Sequence, residues 1–163
     1  MSMNPSMAER VAFGRPIETE DNVVHTVPRP ATALFGRLAL AAIFFVSGIA
    51  KLTDTTGTAA HMTQAGMGHA ETLAVIAGIC EVAGAIALAT GFLTRLGALG
   101  LFLFLIPTTI VFHGFWNVEG AERMAQMVNF MKNLAIGGGL LGFVAYGAGK
   151  YSIDSVLRRP QEA

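Results

Sequence analysis

Five residues carry chemistry that apolar surroundings would amplify: Lys51, Glu81, His113, Lys132 and Asn133. Glu81 stands in CEVAGAIALATG, with no other charged residue between Thr72 and Thr94. A carboxylate at the centre of a bilayer costs roughly 2.5–3.5 kcal/mol on insertion scales, so it must face protein and find a partner. Two readings fit Glu81: a proton-accepting or ligand-orienting carboxylate, and an ion pair with Lys51 that locks two helices. From Arg37 to Lys51, and from Glu81 to Arg95, is 14 residues, about 21 Å along a helix. With Arg37 and Arg95 at the inner interface, Lys51 and Glu81 share a level near the outer third of the bilayer. His113 lies 18 residues beyond Arg95, about 27 Å, and so slightly further out. Lys132 and Asn133 open the next span on the same side. This reading brings the five together from four helices. Glu81, His113 and Lys51 are the candidate catalytic groups, as proton donors and acceptors. His113, Trp116, Lys132 and Asn133 are the candidate lining of a quinone pocket, since a quinone needs donors at its carbonyls and an apolar slot for its ring.

A second polar set lies at the other end. Arg37 and Arg95 read as partners of lipid phosphate at the inner face. Asp154, in Ser152-Ile153-Asp154, is placed to bridge to one of them and tie the C-terminus to the bundle. Metal and intrinsic cofactors are not expected. The single cysteine, Cys80, excludes an intrachain disulfide, a CxxC motif and a four-cysteine metal site. His113 is the one histidine at membrane depth, whereas an intramembrane haem takes two axial ligands. His61 and His69 fall in a loop without a carboxylate-rich setting. Met124, Met127, Val128 and Met131 recur at helical spacing and read as packing or lipid-facing groups.

The elements that must position these groups are four apolar spans: roughly 32–51, 70–93, 96–112 and 133–148. A helix needs about 20 residues to cross the ~30 Å hydrocarbon core, so the third and fourth must lengthen into neighbouring amphipathic residues. Backbone groups in lipid must be satisfied internally, which makes the spans helices; strand-like alternation is missing. GFLTR, Gly91–Arg95, joins spans two and three tightly and makes them antiparallel neighbours. Between spans one and two a turn-like DTTGT precedes a short interfacial helix, and residues 117–131 read as a second one. Small residues at Ala74/Gly78, Ala83/Ala87 and Gly138/Gly142 have the spacing of close helix contacts. Pro107 should bend span three and free a carbonyl one turn earlier, with Thr108 or Thr109 to satisfy it. Phe112, Phe115 and Trp116 read as an interfacial aromatic belt.

Composition agrees. The chain has 163 residues with 53% apolar types and 13% charged ones, about half the charge of an ordinary soluble domain. So little polar surface cannot cover a soluble fold of this size, and disorder fails on the same count. A net charge of +0 leaves no nucleic-acid footprint. The expected fold is an all-α integral membrane bundle of four antiparallel helices. Residues 1–30 form a polar tail, 31–151 the membrane domain and 152–163 a C-terminal tail. Counting Lys and Arg, eight residues lie on the side of the termini (Arg10, Arg15, Arg29, Arg37, Arg95, Lys150, Arg158, Arg159) and three on the other (Lys51, Arg123, Lys132). The excess places both termini in the cytoplasm.

The order of Gly36-Arg37, GIAK at Gly48–Lys51, Glu81, GFLTR at Gly91–Arg95, His113 after Pro107, Lys132-Asn133-Leu134 and Ser152-Ile153-Asp154 resembles the DoxX family of small bacterial membrane proteins. The resemblance runs from about Leu34 to Asp154. It implies a four-helix bundle of the bacterial inner membrane and an association with membrane redox complexes; the family takes its name from a subunit of a thiosulfate:quinone oxidoreductase. Arg37, Lys51, Glu81, His113 and Lys132 carry over as motif positions, without catalytic roles. Three functions follow as expectations. The first is a membrane subunit of a redox complex that meets quinone through the outer polar cluster, with electrons supplied by a protein partner. The second is a non-catalytic anchor or assembly factor. The third is a small-molecule or ion carrier working as a homo-oligomer. All three place lipid around the chain.

Overall fold

The computed structural model describes residues 29–157; residues 1–28 of the polar tail and 158–163 of the C-terminal tail, with their arginines, lie outside them. The element order is α1 (Arg29–Thr53), α2 (Thr55–Gln64), α3 (Ala70–Thr90), α4 (Thr94–Phe112), a 3-10 turn (Phe115–Asn117), α5 (Gly120–Tyr146) and a short α6 (Ile153–Leu157). There are no strands among the described residues. Four helices are long and apolar enough to cross a membrane: α1, α3, α4 together with the turn that follows it, and α5.

Helical periodicity sets what faces inward. The buried residues of α1 are Arg37, Ala41, Phe44 and Gly48; those of α4 are Thr94, Ala98, Leu101, Leu105 and Thr109. Each set advances by three or four, the spacing of one helix face. Most other large apolar side chains on these helices, among them Phe35, Val46, Leu96 and Leu103, point outward. In water such a surface would be a liability; around a membrane bundle it is the lipid contact.

Each neighbouring pair runs antiparallel. Gly48 lies against Gly78 and Arg37 against Leu88 across α1 and α3. Gly84 meets Leu101, and Gly97 meets Ala87, across α3 and α4. Thr109 meets Asn133 across α4 and α5, and Gly36 meets Phe143 across α1 and α5. The bundle is therefore up-down-up-down, with both ends of the described chain on one side. Its main core is Ala41, Phe44, Ala85, Leu88, Ala98, Leu101, Leu105 and Leu140. A second core, Ala59, Met62, Ala70, Ala74 and Ala77, seats α2 on α3.

Several local expectations change. DTTGT is not a turn: Asp54 caps α2, its carboxylate accepting from Gly57 N at 2.9 Å, which satisfies a first-turn donor. Residues 117–131 do not form a separate interfacial helix. From Gly120 onward they belong to one 27-residue helix with span four, because nothing breaks the helix between them. Span two stops at Thr90, where Gly91 adopts φ +71 and ends the helix as glycine does. The Thr108 and Thr109 hydroxyls bond the carbonyls of Phe104 and Leu105, four residues back, as the side-chain reach dictates. The Leu103 carbonyl that Pro107 frees is thus served by neither. Ala74 and Gly78 are buried at helix contacts, but a side chain at Gly138 or Gly142 would meet open space.

Candidate functional site

The closest helix crossing builds the first polar cluster. A β-carbon on Gly48 would come within 2.8 Å of Val82 Cγ2 and 2.9 Å of the Gly78 carbonyl oxygen. The two glycines therefore let α1 and α3 touch backbone to backbone. One turn further on in each helix stand Lys51 and Glu81. Lys51 Nζ donates to Glu81 Oε2 at 2.9 Å and to Oε1 at 3.2 Å. It also donates to Ser47 Oγ at 2.7 Å, and the Ser47 hydroxyl donates to Glu81 Oε1 at 3.3 Å. The Glu81 side chain is 5% exposed and that of Lys51 21%. All three ammonium protons thus point at acceptors in a closed triad.

The other sequence candidates do not join it. His113 Nδ1 lies 2.9 Å from Gln126 Oε1 at the start of α5. Asn133 Nδ2 donates to Thr109 Oγ1 at 3.1 Å in a buried contact. Lys132 is exposed and donates to Asn129 on its own helix at 2.9 Å. Trp116 packs edge-on against Phe115 and Phe130, with centroids 5.3 and 5.9 Å away. The expected convergence of five groups resolves into separate pairs. The reason is depth: Thr109 lies 15 residues beyond Thr94, about 22 Å, whereas Glu81 lies 10 residues from Gly91, about 15 Å. Ser47, Gln126 and Thr109 complete these pairs. Ser47 was findable, since it precedes Lys51 by four and shares its helix face; Gln126 and Thr109 required the tertiary fold.

The second cluster sits at the opposite end and corrects the reading of Arg37. Arg37 does not face lipid phosphate; it is 0% exposed. Its position on the buried stripe of α1 drives it into the bundle. Its Nη1 donates to the Leu88 carbonyl at 3.3 Å and its Nη2 to the Tyr151 carbonyl. Asp154 interacts with it electrostatically. Asp154 Oδ1 and Oδ2 also accept from Leu93 N at 2.9 Å and Thr94 N at 3.1 Å, which places a carboxylate at the N-terminus of α4, where the helix dipole favours it. Asp154 N donates in turn to the Gly91 carbonyl at 2.9 Å. A β-carbon on Gly91 would overlap Arg37 Nη1 and Ser152 Cβ. Gly91 is thus the gap through which the C-terminal segment and Arg37 meet. Arg95, the other basic residue expected there, is exposed and lies beside Gly147. Arg37 Nε and the Thr94 hydroxyl are buried without a hydrogen-bond partner.

One cleft, about 500 Å³, lies between α2 and the start of α3, lined by residues that include Thr56, Thr63, His69 and Glu71. Another, about 140 Å³, lies beside Arg95 and Asp154. Neither is lined by Lys51, Glu81, His113, Trp116, Lys132 or Asn133.

An antiparallel bundle of four membrane-length helices, locked near one end by a Lys–Glu pair and at the other by a buried arginine, is an integral membrane protein. The DoxX family model matches residues 32–114, and the chain belongs to the DoxX family. It is 32% identical over 126 residues to the inner membrane protein YphA of Escherichia coli K12, covering 77% of this chain and 90% of that protein. It is 35% identical over 126 residues to the inner membrane protein YqjF of the same organism, covering 77% of this chain and 92% of that protein. No solved structure matches.

Proposed function

We propose that the chain is the membrane-embedded subunit of a quinone-linked redox complex, and that Ser47, Lys51 and Glu81 are its proton-handling element. The observation that carries this reading is the desolvated carboxylate held against an ammonium that keeps partial access to the surroundings. Charge separation in a low-dielectric medium is costly. Lys51, the more exposed partner, would hand its ammonium proton to the reduced quinone and take up another from the surroundings, while Glu81, 2.9 Å away, holds it in place. A quinone reduced by electrons from a partner protein takes up protons, and the triad is a source for one of them. Electron carriers belong to the partner in this reading, and the quinone ring is held between the two proteins. Both termini face the cytoplasm, as the excess of basic residues on that side favours.

A second reading, a non-catalytic anchor, is favoured by a specific feature: every proton of the Lys51 ammonium already has an acceptor. The two readings separate in one experiment. The protein is purified in mild detergent with its associated lipids and proteins, and bound quinone is measured by mass spectrometry for the natural chain, Glu81→Gln and the double variant Lys51→Met/Glu81→Gln. The redox reading expects quinone and a redox partner with the natural chain, and quinone-linked respiration lost in both variants. The anchor expects the double variant, in which no buried charge is orphaned, to recover both stability and function.

A further inference from the structure

We infer that the cleft beside Arg95 binds a phosphate group, and that its ligand is the head group of an anionic phospholipid. Arg95 opens the first turn of α4, and its guanidinium has no hydrogen bond or ion pair among the described residues. It faces the loop that ends α5: Nε lies 3.4 Å from where a β-carbon on Gly147 would stand. Glycine at 147 thus leaves the edge of the guanidinium open. The cleft between them, about 140 Å³, is lined by Arg95, Tyr146, Gly147, Gly149, Asp154 and Ser155, among others. On this measure a water needs only about 10–15 Å³, so the space admits a phosphate group.

Three further features select the ligand. Tyr146 is 88% exposed at the end of α5, and Tyr151 is exposed in the next loop. Exposed tyrosines at helix ends mark the head-group level of a bilayer, and Arg95 is at that level. Asp154, the acidic residue in the lining, has both oxygens engaged: they accept from Leu93 N and Thr94 N. Lys150, exposed on the same loop, adds a second positive charge. A planar guanidinium that offers paired donors to a phosphate, with a flexible ammonium nearby, favours a net anionic head group over a zwitterionic one.

The test uses the full chain in detergent, incubated with equal amounts of phosphatidylglycerol and phosphatidylcholine and read by native mass spectrometry. The natural chain is expected to retain phosphatidylglycerol preferentially. Arg95→Gln should lower that retention about fivefold, as expected for one basic group at a membrane surface, and Arg95→Lys should fall between. Should Arg95→Gln fail to fold by circular dichroism, Arg95→Met serves in its place. Inorganic phosphate at the same concentration should leave the bound lipid in place. Displacement by inorganic phosphate would assign the site to the free anion and overturn the lipid ligand. Equal retention by the natural chain and the folded variant would overturn the site altogether.

Discussion

The clasp around Arg37 makes a sharp quantitative demand. Asp154 does two jobs: it caps two amide protons at the start of α4 and it faces the charge of a fully buried arginine. Asp154→Asn keeps one oxygen for the cap but removes the charge. Asp154→Asn loses one of the two charge-assisted hydrogen bonds to the α4 amides, a loss of about 1.5–3 kcal/mol; Arg37 retains the Leu88 and Tyr151 carbonyls. Asp154→Ala also removes the cap, adding about 1 kcal/mol. The second single variant, Arg37→Met, removes the Leu88 and Tyr151 bonds, and Arg37→Met/Asp154→Asn should cost less than the two singles together by at least about 0.5 kcal/mol, the lower end for residues of one network. The assay is unfolding of the detergent-solubilised protein in increasing dodecyl sulfate, followed by far-ultraviolet circular dichroism. If both single variants lie within about 0.5 kcal/mol of the natural chain, an effect typical of an unimportant surface change, the clasp does not hold the bundle. If the double variant costs the sum of the singles, Arg37 and Asp154 act independently.

Two further outcomes follow from the helix contacts. Gly48→Ala should push α1 away from α3, because its β-carbon falls within 3.0 Å of Val82, Gly78 and Glu81 atoms; a loss of about 1–3 kcal/mol in the same unfolding assay is expected for overpacking, and a neutral result would place the crossing elsewhere. Asn133→Leu and Thr109→Val should each cost about 0.6 kcal/mol, the mean for hydrogen bonds between membrane helices, and the pair together should cost less than their sum. Strict additivity there would show that the 3.1 Å bond contributes nothing.

The four spans and the antiparallel order were legible in the sequence because lipid imposes them: a run of about 20 apolar residues has no other stable form in a bilayer. Glu81 announced its need for a partner in the same way, since a lone carboxylate in an apolar run is too costly to leave unpaired; the equal 14-residue counts pointed to Lys51, although the helix breaks at Gly91 and only 10 residues separate Glu81 from that turn. The rest depended on the azimuth of each helix and the exact meeting point of its neighbours, which spacing along one chain does not encode. Arg37 and Arg95 look alike in sequence. Only packing separates them: Arg37 shares its face with Ala41, Phe44 and Gly48 and goes inward, while Arg95 follows the buried Thr94 by one residue and turns out. Depth, measured from the turn at Gly91, decides that Asn133 meets Thr109, and His113 meets Gln126, rather than Glu81. Gly91 carries the last lesson. Its sequence says turn, but its role as the gap for Arg37 and Ser152 exists only once the C-terminal segment folds back beneath the hairpin, a contact between residues some sixty positions apart, which local physics cannot foresee.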